Sequence, residues 1–321
     1  MSAAKDYAKA HLRGIWCAAL MPFQPGSLAL DEAGFAANLR HWFTDLGIDG
    51  VFVSGKQGEF FSMSLAERKR SFEIAAEIAR ATAKRTVMSA SDQNIDTVIE
   101  LARHAEAVGG DFIVVHAPVL HFVHDRDALL LEYYRHIAAQ VKIGICMWSH
   151  PDSGYLMSPA LCARIAEIPN IVGIKYSVPR EMYVELTHLT RGKLIVSTAA
   201  EEEWLDNILE LDWQVYLCSS PPYLLQSALD RRMRAYTDAA FAGRAAEARA
   251  ISASLAPVRQ ALKSTRPASK PQSHQKYWQE LLGQVGGAVR RPMLELTEAE
   301  KAATRAAFAA CGLRLPGAQA A

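Results

Sequence analysis

A lysine set in an apolar run is the first residue of this chain that could do chemistry. In Ile171-Val172-Gly173-Ile174-Lys175-Tyr176-Ser177, alternate side chains of an extended segment point to opposite faces. Val172, Ile174 and Tyr176 suit packing against a helix layer, and Ile171, Gly173, Lys175 and Ser177 take the other face. Burial disfavours the charged form of a lysine and lowers its pKa, which makes the neutral amine available as a nucleophile. A neutral amine attacks a ketone to form a Schiff base, which then acts as an electron sink. Gly173, one pleat before, leaves room beside the lysine. The plainer alternative is a lysine snorkelling out of a strand end.

The run Ser54-Gly55-Lys56-Gln57-Gly58-Glu59 is the second feature. Two glycines around two polar residues make a tight turn with exposed backbone N–H groups, a nest that can hold a carboxylate or phosphate. Lys56 would add charge. The turn is too short for a Walker loop. His116, His121 and His124, with Asp125, form a third group whose spacing could ligate a metal. No second acidic or histidine cluster matches it, so these histidines are expected as loop or substrate-contacting residues, with no metal and no cofactor. No G-x-S-x-G signature is present.

The elements that must position these residues recur regularly. Apolar runs lie at 18–23, 50–55, 86–91, 111–118, 143–150, 171–177, 194–200 and 214–220. Several lack polar alternation, the mark of parallel strands covered on both faces. Helical patterns fill 31–47, 65–83 (opened by a Ser64–Glu67 capping box), 95–108, 127–140 and 158–168. Eight strands alternating with helices mean a closed (β/α)8 barrel or a doubly wound sheet. The count favours the barrel, and no G-x-G-x-x-G follows the first strand. In such barrels the active site lies at the C-terminal strand ends. The candidates there are Ser54, Lys56, Gln57, Glu59, Ser91, Asp92, His116, Trp148, His150, Lys175, Ser177, Thr198 and Ser219. After residue 222 only helical patterns follow, at 223–241, 243–263, 274–284 and 297–312. The polar, basic stretch 263–276 reads as a solvated connector. The domains expected are therefore a catalytic α/β TIM barrel over 1–240 and a C-terminal helical appendage over 241–321.

Composition narrows the function classes. The 321 residues are 50% hydrophobic and 21% charged, with 35 Lys+Arg against 34 Asp+Glu. Disorder is excluded, because a disordered chain is poor in apolar residues and strongly charged. A net charge of +1 gives no electrostatic case for nucleic acid or a membrane surface. No window approaches the roughly 20 apolar residues of a membrane span. The first residues, MSAAKDYAKAHLRG, lack a signal-peptide core. Cys17, Cys146, Cys162, Cys218 and Cys311 are scattered without a CxxC pair. A reducing cytoplasm is the expected location.

Taken together, these segments resemble the dihydrodipicolinate synthase / N-acetylneuraminate lyase family of class I aldolases, from about residue 14 to 313. Gly14-Ile15-Trp16-Cys17-Ala18-Ala19-Leu20-Met21-Pro22-Phe23 resembles the family's opening strand, which ends in a Thr-Pro-Phe-like triplet. SGKQGEFFSMSLAER (54–68) sits where the family carries G-[ST]-T-G-E before a helix start. AEAVGGDFIVVHAP (105–118), IVGIKYS (171–177) and GGAVRRPMLELTEAEK (286–301) match its strand-four, Schiff-base lysine and C-terminal segments. The resemblance implies a (β/α)8 barrel with helical appendage and usually a homotetramer. It also implies 2-oxo acid substrates, most often pyruvate, bound covalently to Lys175.

The departures redirect the reading. The family's strand five ends in Tyr-Asn-x-Pro, whose tyrosine relays protons; here the stretch is Trp148-Ser149-His150-Pro151. An indole N–H only donates. Lys56-Gln57 replaces the Thr-containing pair in the glycine turn, and Val119-Leu120 replaces a tyrosine pair. The arginine of dihydrodipicolinate synthases is absent, since Asp152-Ser153-Gly154 follows Pro151. The expectation is a Schiff-base lyase or aldolase on a 2-oxo acid that forms or releases pyruvate, not a true dihydrodipicolinate synthase. Lys175 would be the nucleophile, with His116 and His150 (or His121) moving protons. Gly55, Lys56, Gln57, Gly58, Trp148 and Ser177 would hold substrate. Trp148, Val119 and Leu120 would suit a less polar substrate. The alternatives are a sugar-acid dehydratase or hydratase-aldolase of the same family, or a non-catalytic metabolite-binding barrel. The chain is expected as a homo-oligomer, tetramer or dimer.

Overall fold

The computed structural model describes residues 2–198, 200–217 and 222–315. Eight parallel strands form one sheet, β1 (Gly14–Ala18), β2 (Gly50–Val53), β3 (Arg85–Ser89), β4 (Phe112–His116), β5 (Gly144–Ser149), β6 (Ile171–Tyr176), β7 (Ile195–Ser197) and β8 (Val215–Leu217). Their order is β7-β6-β5-β4-β3-β2-β1-β8, so the sheet curls until its two ends meet. No ladder joins β7 to β8 among the described residues. The seam is sealed by the Leu217 N–H, which donates to Ser197 Oγ at 2.8 Å. The architecture is the expected (β/α)8 barrel.

A helix α1 (Ala3–His11) precedes the barrel. The helices α2 (Glu32–Thr44), α3 (Leu65–Ala81), α4 (Ile95–Ala107), α5 (Asp127–Ala138), α6 (Pro159–Ile165), α7 (Arg180–Thr190), α8 (Trp204–Leu211) and α9 (Arg232–Phe241) follow the strands in turn. The appended helices are α10 (Ala245–Ser254), α11 (Ala256–Ser264), α12 (Pro271–Leu281) and α13 (Glu298–Ala310). The α3 capping box forms as its sequence dictates. Ser64 Oγ accepts from Glu67 N–H, and Glu67 Oε2 accepts from Ser64 N–H.

Five expectations are corrected. The first strand is Gly14–Ala18, earlier than 18–23, because its register puts Trp16 opposite both Gly50 and Leu217. After a 3-10 turn at Pro222–Leu224, residues 225–231 are not helical: Ser227 and Asp230 pair in a tight bridge, and Asp230 holds the Arg232 guanidinium at the start of α9. The span 243–263 breaks at Leu255, where Pro257 in the next first turn supplies no N–H. The stretch 263–276 is not a wholly solvated connector. From Pro271 it is helical, and Ser273, His274, Gln275 and Lys276 are buried. Finally, Gly173 leaves no free room: a Cβ there would stand 3.1 Å from Cys146 Sγ and 3.4 Å from a Leu12 methyl. Leu12, at the end of α1, fills the bottom of the barrel. The helices α1, α7 and α8 had no signal singled out in the sequence.

Candidate active site

The strand register assembles the site. His116 on β4 pairs with Trp148 on β5, Trp148 with Lys175 on β6, and Lys175 with Ser197 on β7. Parallel partners share a face, so these four side chains form one tier at the C-terminal end. Lys175 is 1% exposed. Its Nζ lies 4.7 Å from the Trp148 ring centroid and 5.2 Å from that of Phe52. Phe52 belongs to β2, across the barrel from β6, so the lysine points at the axis and not out of the strand end. Tyr176, on the opposite face, donates to Met157 O at 2.6 Å in the helix layer.

Beside this tier opens a cavity of about 380 Å³, walled by Lys56, Phe60, His116, Val119, Trp148 and Gln272 among others. Trp148 lines the cavity and is also the ring nearest the Lys175 amine. The βα turn after β2 forms the rim. Ser54 and Glu59 bracket it in left-handed conformations, φ 53° and 55°. Within it, Glu59 N–H donates to Lys56 O and Phe60 N–H to Gly55 O. Gly55 is required by contact: a Cβ would stand 2.5 Å from the Phe52 ring. Gly55→Ala therefore pushes Phe52 towards Lys175, and unfolding should show a loss of about 1–3 kcal/mol together with reduced activity; an unchanged urea midpoint would refute the packing argument.

The turn is anchored from below by Glu59. Its carboxylate, fully buried, pairs with Lys276 of α12 at 2.6 Å and accepts from Arg290 N–H at 3.0 Å. Lys276 also donates to Ala288 O at 2.6 Å. The appendage thus holds the rim, and Gln272 of α12 donates to Lys56 O at 3.3 Å.

Lys56 spans the cavity mouth. It forms an ion pair with Asp152, and its Nζ lies 3.2 Å from His150 Nδ1 and 5.2 Å from the Trp148 ring centroid. Burial, then repulsion by Lys175, brings its pKa down to about 8. His116 and His150 are both brought down to about 4, chiefly by burial and then by the nearby cations, against which the Ala117 carbonyl works at His116. Burial lowers His274 likewise to about 4.

These histidines set an acid limit on stability. Their folded pKa lies below the unfolded value of about 6.5, so the unfolded chain takes up protons first as pH falls. The stability they leave in place above about pH 6.5 is lost progressively towards pH 4. Urea midpoints should therefore fall between pH 7 and pH 5; a midpoint constant over that window would contradict the assignment.

Of the residues expected from sequence, Lys56, Ser91, Asp92, His116 and Trp148 wall this cavity, and His150 borders it. Ser177 and Thr198 open instead on a second cavity of about 530 Å³ towards α11, with Glu201 and Arg259. Ser54 is buried against Ser71 Oγ, at 2.7 Å. His121 and His124 are exposed on the loop after β4. Among the described residues no three His, Cys, Asp or Glu side chains are grouped to hold a metal ion. Ser219 lies outside the described residues. Sequence reasoning missed Phe60, Asp152 and Gln272. The first two sit in segments already singled out, but Gln272 had no signal, being remote in sequence.

Residues 11–311 match the model of the dihydrodipicolinate synthetase family. The chain belongs to that family. It is 26% identical over 299 residues to the 4-hydroxy-tetrahydrodipicolinate synthase of Methanothrix thermoacetophila, covering 91% of this chain and 95% of the relative. It is 29% identical over 286 residues to that of Acidiphilium cryptum, covering 88% and 93%. Among solved structures it is similar to a prophage protein of Escherichia coli from the dihydrodipicolinic acid synthase family, in complex with pyruvate. That match has a TM-score of 0.81 at 23% identity, covering 94% of this chain and 99% of the other. Family members are lyases and synthases. No helix among the described residues is long and apolar enough to cross a membrane.

Proposed function

We propose that the protein is a Schiff-base lyase acting on a 2-oxo acid, with pyruvate formed or released and Lys175 as the nucleophile. The observation that carries this reading is the buried amine on the barrel axis, between Trp148 and Phe52 and beside a cavity. In this reading the substrate carboxylate seats at the 55–58 turn. There it competes with Asp152 for Lys56 and meets Gln57 and the backbone of Gly55 and Gly58. Lys175 Nζ adds to the ketone carbon and water leaves. The protonated imine then accepts the electron pair of a breaking bond to C3 or from C3 to C4. In this reading His116 and His150 move the proton.

Two features argue against a dihydrodipicolinate synthase. By the resemblance, Trp148 on β5 takes the place of the family's relay tyrosine. Asp152 at the rim places a negative charge where a second carboxylated substrate would approach. The barrel over 1–240 would carry the reaction, with 241–321 bracing it. A cytoplasmic homo-oligomer, dimer or tetramer, is the assembly proposed.

Borohydride with pyruvate tests the reading: it should add one reduced pyruvyl mass to the peptide holding Lys175. Labelling of another lysine would refute it. Thermal stabilisation by 2-oxo acids with no adduct would favour a binding barrel.

A further inference from the structure

A further cavity, of about 440 Å³, opens at the N-terminal strand ends, opposite the Lys175 tier. Its apolar wall comes from the start of β7 and the segment before β8. Leu194, Ile195, Val196, Leu211 and Trp213 supply it, and Ile195 and Leu211 are only partly buried. Charged side chains ring this wall. Lys5 and Lys9 come from α1, Arg191 and Lys193 from the turn after α7, and Glu210 and Asp212 from the C-terminal end of α8.

Some of these groups are already engaged. Glu210 accepts from Arg180 at 2.7 Å, Lys193 pairs with Glu167 at 3.0 Å, and Lys5 Nζ donates to Ala166 O at 2.5 Å. The side chains of Lys9, Arg191 and Asp212 have no partner among the described residues. With the partners Arg180 and Glu167 counted, five cations face three carboxylates, a surplus of two positive charges. His188 at the same rim can only add to it. The backbone supplies one more donor. Gly192 lies in the wall between Arg191 and Lys193 at φ 78°, and its N–H finds no acceptor among the described residues.

Free cationic groups beside apolar surface select an organic anion. A cation is repelled by the surplus charge. Inorganic phosphate would leave the apolar wall facing water, and a neutral apolar molecule would leave the guanidinium and the amine without a partner. A carboxylate matches the fork of an arginine with two parallel hydrogen bonds. The volume falls in the range of small-molecule sites. We propose that this cavity binds a small carboxylate with an apolar, ring-sized body, held by Arg191, Lys9 and the Gly192 N–H. The site is separate from the proposed catalytic one and does not rest on it. Strand β6 runs between them, with Val172 bordering this cavity and Lys175 in the tier at the far end.

Isothermal titration calorimetry with 2-naphthoate tests this, with 2-naphthylmethanol as the uncharged analogue of similar shape. In the natural chain one naphthoate should bind per chain, about tenfold or more tightly than the alcohol. Lys9 and Arg191 are exposed, so Lys9→Ala with Arg191→Ala should leave circular dichroism unchanged and weaken binding about tenfold or more. Asp212→Asn should tighten binding about two- to fivefold by removing the opposing charge, which a damaged fold would not do. Asparagine tolerates the left-handed φ of 54° there. Saturating pyruvate and Lys56→Ala should both leave naphthoate binding unchanged. No binding, equal binding of the alcohol, natural affinity in the double variant, weaker binding in Asp212→Asn, or loss with pyruvate or Lys56→Ala would each overturn the proposal. None of these results bears on the borohydride test of Lys175.

Discussion

Lys175→Ala is expected to give a folded chain that traps no 2-oxo acid and turns over about 10⁴-fold or more slowly. Among the described residues of the tier Lys175 is the only amine able to form an imine, since the others are an imidazole, an indole and the Ser197 hydroxyl that seals the seam. Lys175→Arg should be equally inactive, because a guanidinium stays protonated and cannot attack a carbonyl. It separates charge from nucleophilicity, so a competent Lys175→Arg would argue for electrostatic binding alone. Circular dichroism should be unchanged in Lys175→Ala. Retained trapping there would move the chemistry to another residue.

The largest stability effect is expected at Glu59–Lys276. Both side chains are almost fully buried, 0% and 2% exposed, at 2.6 Å. Burial lowers the Lys276 pKa, and Glu59 opposes that shift. Removing one partner leaves the other uncompensated, so Lys276→Met should cost about 3–5 kcal/mol in urea unfolding. Replacing both, Glu59→Gln with Lys276→Met, should recover much of that loss, giving a coupling energy of opposite sign to the single effects. Since the pair ties the Gly55–Gly58 rim to α12, either single change should also raise KM for a 2-oxo acid. Strictly additive effects would show that the two groups act independently.

The sequence carried the barrel well because parallel strands buried on both faces leave unbroken apolar runs. Seven of the eight runs hold a strand; the run at 18–23 misses, touching β1 only at Ala18 because the apolar pattern continues into the loop after it. The lysine was legible for the same reason: strand alternation alone assigns it a face. The helices α7 and α8 were not singled out. The appendage was misread where it matters most. Lys276 and Gln272 lie in a stretch rich in lysine, serine and proline, and local composition says solvent. Lys276 is buried against Glu59 and half-buried Gln272 reaches the Lys56 carbonyl, both partners more than two hundred residues away. Pairing over that distance leaves no periodicity in a single chain. The same holds for Asp152, whose role follows only from Lys56 reaching across the barrel mouth.

The contact between Trp148 and the reactive amine has an optical consequence. An indole this close to an amine is a fluorophore that reports the state of its neighbour. If the amine is converted to an imine as proposed, the local field on that chromophore changes, and substrate capture is expected to show in the emission in stopped flow, before any product is released. The chain has six tryptophans, and a Trp148→Phe difference spectrum isolates the one that senses the reaction.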